Sequence, residues 1–496
     1  MHMSFTEDTV KTIFGLKLKQ LRKDKKLSLQ SLSEISGLSV SYLNEIENGR
    51  KYPKSDKILA LSKAFDIPYD KLVSLKVNRN LEPVSRLMQS DVFNDIPFEA
   101  FGIARENILR LMADAPVKVL AFINAITEMA RNYNMRQEHF HFAALRSYQE
   151  LNDNYFEEIE EKATRFLEDF GLNGELPLSS ATLQELLKER FGYEIVFTDF
   201  ADYPHLKKFR SVFIRAEHKK LLVNHRLSEQ QRTFLFGKEL GFCYLHMDER
   251  PATSSWHKAE SFEKVLNNFL ASYFSGAILI RKSDFSAQLE QFFSSERWDA
   301  ERFASLMNRY NASPEMFMQR LTHILPQVFG MKQLFFIRHS LDAASGKEVT
   351  KELHLSNTSN ALSGNFEEIL YRRWMSKRIL GYYSRKKDSH PDAPVWVNAV
   401  KSQFSVKGQE YFCISLSRPK LFTQGDDFVT IGFVLTDAVR KKIRFADDEQ
   451  VYFLKTDDEF ALEMIEPEEL RRQNELNRRE AELQKLTQDY SEKVEA

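Results

Sequence analysis

The apolar positions of this chain recur at changing periods, and each change marks a boundary. Between residues 11 and 76 they fall three and four apart in short blocks, which predicts five short helices. Residues 80–100, with Pro83 and Pro97, interrupt the pattern and read as a linker. From about 101 to 170 the helical period returns. Examples are Ile108, Leu111 and Met112, then Val119, Phe122 and Ile123, then Phe156, Ile159, Ala163 and Phe166. Thr182–Phe191 is the next predicted helix, with Ser179 or Ser180 as its cap. Three strand-like runs follow, Glu194–Phe197, Ser211–Arg215 and Lys220–Asn224. Two long helices, Ser228–Met247 and Ser261–Ile280, come after them.

Residues 283–330 are helical again, around Phe285–Leu289, Trp298–Asn308 and Pro314–Leu325. From 333 the alternation becomes that of strands. Gln333–His339, Lys351–Leu355, Val395–Val400, Tyr411–Ser417, Phe428–Leu435 and Gln450–Leu454 are the candidates, interrupted by one helix at Phe366–Lys377. Pro467–Val494 is charged, with Leu470, Leu476, Leu483 and Leu486 at rough heptad spacing, and predicts a terminal helix. The expected fold is multidomain, mainly α with α+β parts. Its parts are a five-helix domain (11–77), a helical connector (98–172), an α+β domain (175–283), a helical segment (284–330), an α/β module on an antiparallel sheet (331–457) and a charged terminal helix (466–496).

Length agrees with several domains, since 496 residues suffice for about three or four. No apolar run approaches the ~20 residues of a membrane span. Met1–Val10 is polar and acidic rather than signal-like. Cys243 and Cys413, the two cysteines, are too few and too far apart for a disulfide framework or a cysteine metal cluster. The expectation is a reduced, cytoplasmic protein without membrane, metal or cofactor. Net charge is −1, but residues 1–77 carry 14 Lys/Arg against 9 Asp/Glu, clustered at Lys17–Lys26 and Arg50–Lys57. Localised basic charge is the footprint of a DNA-binding module.

The segment Leu27–Arg50 carries that chemistry. Ser28 caps a short helix expected to bury Leu32 and Ile35, Gly37 supplies the turn, and Ser39 caps a second helix ending at Gly49. Leu43 and Ile46 face inward, which leaves Val40, Ser41, Tyr42, Asn44 and Glu45 on the outer face near the helix start. That is where a recognition helix meets base edges. Arg50, Lys51 and Lys54 follow within reach of phosphates. The run of Gly37, Ser39, Tyr42, Leu43, Ile46, Glu47, Gly49 and Pro53 resembles the lambda-repressor-like (Cro/C1, XRE-type) helix-turn-helix family. The resemblance implies double-stranded DNA as partner. The family's phosphate-contacting Gln falls at Leu29 here, and Gln30, one place later, is the candidate at that helix end.

Further along, Gln231–His246 has the form of a zinc-peptidase H-E-x-x-H helix from which both imidazoles are gone. Lys238 stands at the first histidine place, Phe242 at the second, and Glu239 remains at the general-base place. Glu263 fits the third, carboxylate-ligand position. This region resembles the ImmA/IrrE-type metallopeptidase domain, a zincin-like fold, with its metal chemistry removed. Lys238 is expected to replace the metal's positive charge and to pair with Glu239 or Glu263. The order of the parts resembles the short-chain fatty acyl transcriptional regulator family. That resemblance implies a response to an acyl-CoA-type or short-chain carboxylate metabolite. The family's cysteine-rich ending is missing here.

Tyr371, Arg372, Arg373, Trp374, Lys377 and Arg378 form a basic-aromatic helix. It reads either as a holder of an anion or as a solvated face over a packed Trp374. The expectation is a dimeric transcriptional regulator, because one recognition helix makes few base contacts. The alternatives are a metallopeptidase that cleaves a partner regulator, using His246, His257 or another ligand, and a protein-interaction scaffold.

Overall fold

The computed structural model describes residues 7–74, 137–200, 206, 209–215, 219–253, 261–342, 346–355, 365–389, 396–404, 408–419 and 426–454. The first part of the expected connector, the terminal helix and His257 lie outside them. The chain divides into two compact units, Met1–Tyr148 with His257–Leu266, and Gln149–Trp256 with Asn267–Ala496.

The first unit contains α1 (Glu7–Asp24), α2 (Leu29–Ser36), α3 (Val40–Glu47), α4 (Ser55–Phe65) and α5 (Tyr69–Val73). Phe14, Leu18, Leu32, Leu43, Ile46 and Phe65 make its core, each nearly inaccessible to water. Ser28 and Ser39 cap α2 and α3 by accepting from the backbone N–H three residues on. Gly37 ends α2 with φ 69°, a left-handed conformation that costs glycine little. Gly15 on α1 lies against α3 so closely that a Cβ there would sit 2.2 Å from the Ile46 carbonyl oxygen. One expectation fails. Ile35 is 56% exposed rather than buried. The eight-residue α2 turns only its Leu32 side fully into the core, and Ile35 lies on the rim.

Helix α6 (Gln137–Leu151) belongs mostly to the first unit, and the second holds α7 (Glu157–Asp169) and α8 (Ser180–Phe191). Strands β1 (Tyr193–Thr198), β2 (Ser211–Ile214) and β3 (Lys219–Asn224) form a sheet in the order β1-β3-β2. The β1–β3 pair is parallel and the β2–β3 pair antiparallel. Helix α9 (Glu229–Tyr244) starts with a complete capping box, Ser228 and Gln231 each bonding the other's backbone N–H. Helices α10 (Phe262–Leu279), α11 (Lys282–Phe293), α12 (Ala300–Arg309) and α13 (Pro314–Phe329) follow.

The last part is built on six strands. These are β4 (Leu334–Asp342), β5 (Gly346–His354), β6 (Trp396–Phe404), β7 (Gln409–Pro419), β8 (Asp426–Val434) and β9 (Tyr452–Leu454), in the order β5-β4-β8-β7-β6-β9. All pairs are antiparallel except β6–β9, which is parallel. Helix α14 (Asn365–Ser389) packs on this sheet and is twice the length that its apolar periodicity suggests. The architecture is multidomain α plus β. No helix of the described residues is long and apolar enough to cross a membrane.

Candidate nucleic-acid interface and the peptidase-like centre

Helix α3 offers its start to solvent. Ser41 and Asn44 are exposed, and Val40, Tyr42 and Glu45 are half-buried. Asn44 is steadied by Asn48, whose side-chain N–H donates to its side-chain oxygen at 2.9 Å. Glu45 pairs with Lys51 at 2.8 Å, so these two candidates partly neutralise each other. Arg50 and Lys54 are exposed beside them, and Gln30 lies exposed on α2. The cap of α3, Ser39, is itself exposed.

The basic cluster at 17–26 does other work. Arg22 donates to both carboxylate oxygens of the buried Glu47, at 2.7 and 2.8 Å, and to the Leu27 carbonyl at 2.9 Å. Glu47 ends the recognition helix, so this fork fixes α3 against α1. Lys17 donates to the Ser74 carbonyl and Lys25 to that of Phe65. These residues hold the domain together, which charge counting cannot distinguish from DNA contact.

In the peptidase-like region the pairing differs from expectation. The cation at Glu239 is Arg250, beyond α9, which donates to both carboxylate oxygens at 2.7 and 2.6 Å. Lys238 follows the helix geometry instead. Neighbours on a helix point about 100° apart, so Lys238 and Glu239 do not face each other. Arg250 also donates to the Tyr193 hydroxyl at 3.1 Å, and Tyr193 in turn donates to Glu239 at 3.2 Å. Its guanidinium carbon lies 3.9 Å from the Phe213 ring centre and 4.1 Å from that of Phe242. A cation between two aromatic faces gains from both. Phe242 thus forms one wall of an arginine slot.

Lys238 is 6% exposed, with its ammonium 5.7 Å from the Phe242 ring centre. Burial chiefly, and then the nearby cations of Arg250, Arg210 and Lys351, lower it to about 8 against the pull of Glu239. Glu263 lies exposed in the first turn of α10. His246 is exposed just past the end of α9, and burial pushes the Cys243 thiol up. Zinc in such a helix needs imidazole or carboxylate donors on one face. Lysine, phenylalanine and an arginine-bound glutamate do not fit that requirement. Among the described residues, no three His, Cys, Asp or Glu side chains gather to hold a metal.

The basic-aromatic helix is mostly interior. Tyr371, Arg372 and Trp374 are at most 1% exposed. Arg372 donates to Glu368 at 2.5 Å, and Arg373 to both oxygens of Glu352 at 2.8 and 2.6 Å. The reading of a solvated basic face therefore fails for Arg372, which is buried and paired with Glu368 one turn earlier on the same helix, while Arg373 reaches Glu352 on β5.

A capped helix pair with an exposed second helix, joined to an α+β domain of peptidase type, defines a DNA-binding transcriptional regulator. A helix-turn-helix family model matches residues 18–72, and a model of the IrrE N-terminal-like domain matches residues 188–322. The chain thus joins an XRE-type reader to an IrrE-like domain. It is similar to the HTH-type transcriptional regulator PrpR of Mycobacterium tuberculosis, 25% identical over 369 residues, which cover 71% of this chain and 72% of that one. It is also similar to the propionyl-CoA carboxylase regulator of Cereibacter sphaeroides, 25% identical over 347 residues, covering 65% and 68%. The HTH-type transcriptional repressor RghR of Bacillus subtilis is 39% identical over 61 residues, covering 12% of this chain and 45% of that one.

Proposed function

We propose that this regulator acts in the cytoplasm as a homodimer, reads DNA through α3 and answers to an acyl-CoA-type or short-chain carboxylate effector. The observation that carries the reading is the exposed start of α3, held rigidly by the Arg22–Glu47 fork. Ser39, Val40, Ser41, Tyr42, Asn44 and Glu45 face the base edges. Gln30, Arg50, Lys51 and Lys54 face phosphates. Dimerisation follows from the small number of base contacts one such helix makes. The effector class is supported by the name of one long relative, the propionyl-CoA carboxylase regulator. The domain limits are those read from the sequence, with 331–457 as a sensor or dimerisation module.

The IrrE-like domain is inert as a peptidase. Its glutamate is tied to Arg250, so it is not free to take a proton from water. Zinc analysis of the purified protein gives well below one ion per chain, and stoichiometric zinc would return the peptidase reading.

The deciding experiment is fluorescence anisotropy with DNA from upstream of the protein's own gene, at several salt concentrations, with and without a panel of acyl-CoA thioesters. Specific binding shifted by one thioester supports the whole reading. Specific binding that no thioester shifts removes the effector. A genome-wide binding map without any specific site would remove the reader itself.

A further inference from the structure

Helix α3 carries two acids, and the fold treats them differently. Glu47 is buried and bound by the guanidinium of Arg22. Glu45 stays half-buried at the surface. It lies on the stripe that Ser41, Asn44, Glu45 and Asn48 form at helical spacing, away from the buried Leu43 and Ile46. An acid on a surface that meets DNA is repelled by the phosphates, which weakens binding to every sequence.

The end of α3 supplies a cation against that repulsion. Gly49, with φ 71°, turns the chain back in a left-handed step. The Arg50 N–H donates to the Glu45 carbonyl and the Gly49 N–H to that of Ile46, both at 2.9 Å. This pair of bonds is the Schellman closure of a helix. It returns Lys51 to the side of Glu45, and the ammonium lies 2.8 Å from the carboxylate and 6.0 Å from the Tyr42 ring centre. A lysine has three N–H donors, so one holds Glu45 while the others remain for a phosphate.

Asn44, the neighbour of Glu45 on the stripe, has the opposite chemistry. The Asn48 Nδ2 donates to the Asn44 backbone carbonyl at 2.7 Å and to its side-chain oxygen at 2.9 Å. A backbone carbonyl only accepts, so it fixes which end of the Asn48 amide points there and turns the Asn44 oxygen toward it. The Asn44 amide nitrogen is the end that Asn48 does not engage. Glu45 is then the one acceptor-only side chain of the stripe. In the major groove, guanine and thymine present acceptors that repel a carboxylate, and adenine sets its N7 acceptor beside its amino group. Cytosine presents an N4 amino donor without an acceptor of its own.

We infer that Glu45, steadied by Lys51, accepts a hydrogen bond from the N4 amino group of a cytosine and so fixes a C·G pair at one position of the DNA that α3 contacts. The inference rests on the reading of α3 as the base-reading helix and adds which base it demands.

The test is selection from a random-sequence duplex pool by the full-length protein, followed by anisotropy titrations on the enriched sequence. The wild type is expected to enrich a motif with an invariant C, and replacing that C by A, G or T weakens binding by about tenfold or more. Glu45→Gln, which keeps the shape and exchanges the charge for an amide, is expected to move that one position from C to A, because glutamine pairs with adenine N6 and N7. Glu45→Ala makes the position indifferent and leaves the rest of the motif in place. A wild-type motif that both variants reproduce unchanged overturns the inference while leaving the reader intact, as does a change at a position where the wild type has no C. A pool from which the wild type enriches nothing overturns the DNA reading together with it.

Discussion

Arg250 closes on Glu239 through one guanidinium nitrogen that reaches both carboxylate oxygens, at 2.7 and 2.6 Å, with both side chains almost wholly buried. Glu239 on α9 is thereby held in a buried structural ion pair. Arg250→Met leaves a buried carboxylate without its cation and is expected to cost about 3–5 kcal/mol. The double variant Glu239→Gln/Arg250→Met recovers part of that loss, because no charge remains to be compensated. Urea midpoints of the three variants check this. Equal stability of wild type and Arg250→Met would show the pair to be dispensable.

Gly15 is required by distance rather than by its own backbone angle. A methyl group there meets the Ile46 carbonyl at 2.2 Å, and that carbonyl belongs to the recognition helix. Gly15→Ala is expected to push α3 outward, cost about 1–3 kcal/mol and weaken DNA binding. Tm and anisotropy fall together. A variant with native Tm and native affinity would place the close approach in doubt.

Asn44 and Arg50 are expected to divide specificity from affinity. Asn44→Ala should relax discrimination at one base pair by about 1–3 kcal/mol. Arg50→Ala should weaken binding to all sequences and reduce the salt slope by about one. Binding titrations on operator and scrambled DNA at three salt concentrations separate the two effects. An Arg50→Ala slope equal to wild type removes that residue from the phosphate contacts.

Lys238 makes stability depend on pH in a definite sense. Burial holds its folded pKa at about 8, below the ordinary 10.5, so the unfolded chain keeps the proton longer. Between those values the unfolded state binds more protons, and stability rises with pH. The penalty is fully present below pH 8 and is on the order of 3 kcal/mol. Lys238→Met is expected to raise stability at pH 7 and to flatten its rise between pH 8 and 10. Denaturant midpoints across that range test it, and an unchanged slope would mean that another group titrates there.

Local signals made the reader legible. Ser28, Gly37 and Ser39 punctuate two short helices, and their roles follow from residue chemistry within three or four positions. The strands of the last sheet could be read one by one from alternation, though not their order, because pairing β4 with β8 joins segments some ninety residues apart. The length of α14 was hidden for a related reason. It buries Tyr371, Arg372 and Trp374 together and carries charge beyond them, so its apolar stripe is irregular. Ile35 was misread because a short helix can turn only a narrow face inward.

The sequence by itself determined the class of protein, from the helix-turn-helix spacing, and that Lys238 and Phe242 stand one turn apart on α9. Those facts are local, since residue type and spacing along one helix settle what that helix can offer. Only the tertiary structure decided which charges serve which purpose. Arg22 braces Glu47, Arg250 rather than Lys238 neutralises Glu239, and Arg338 faces Lys351 across two strands. A long charged side chain finds its partner by three-dimensional proximity and burial, and neither quantity is written in the order of residues.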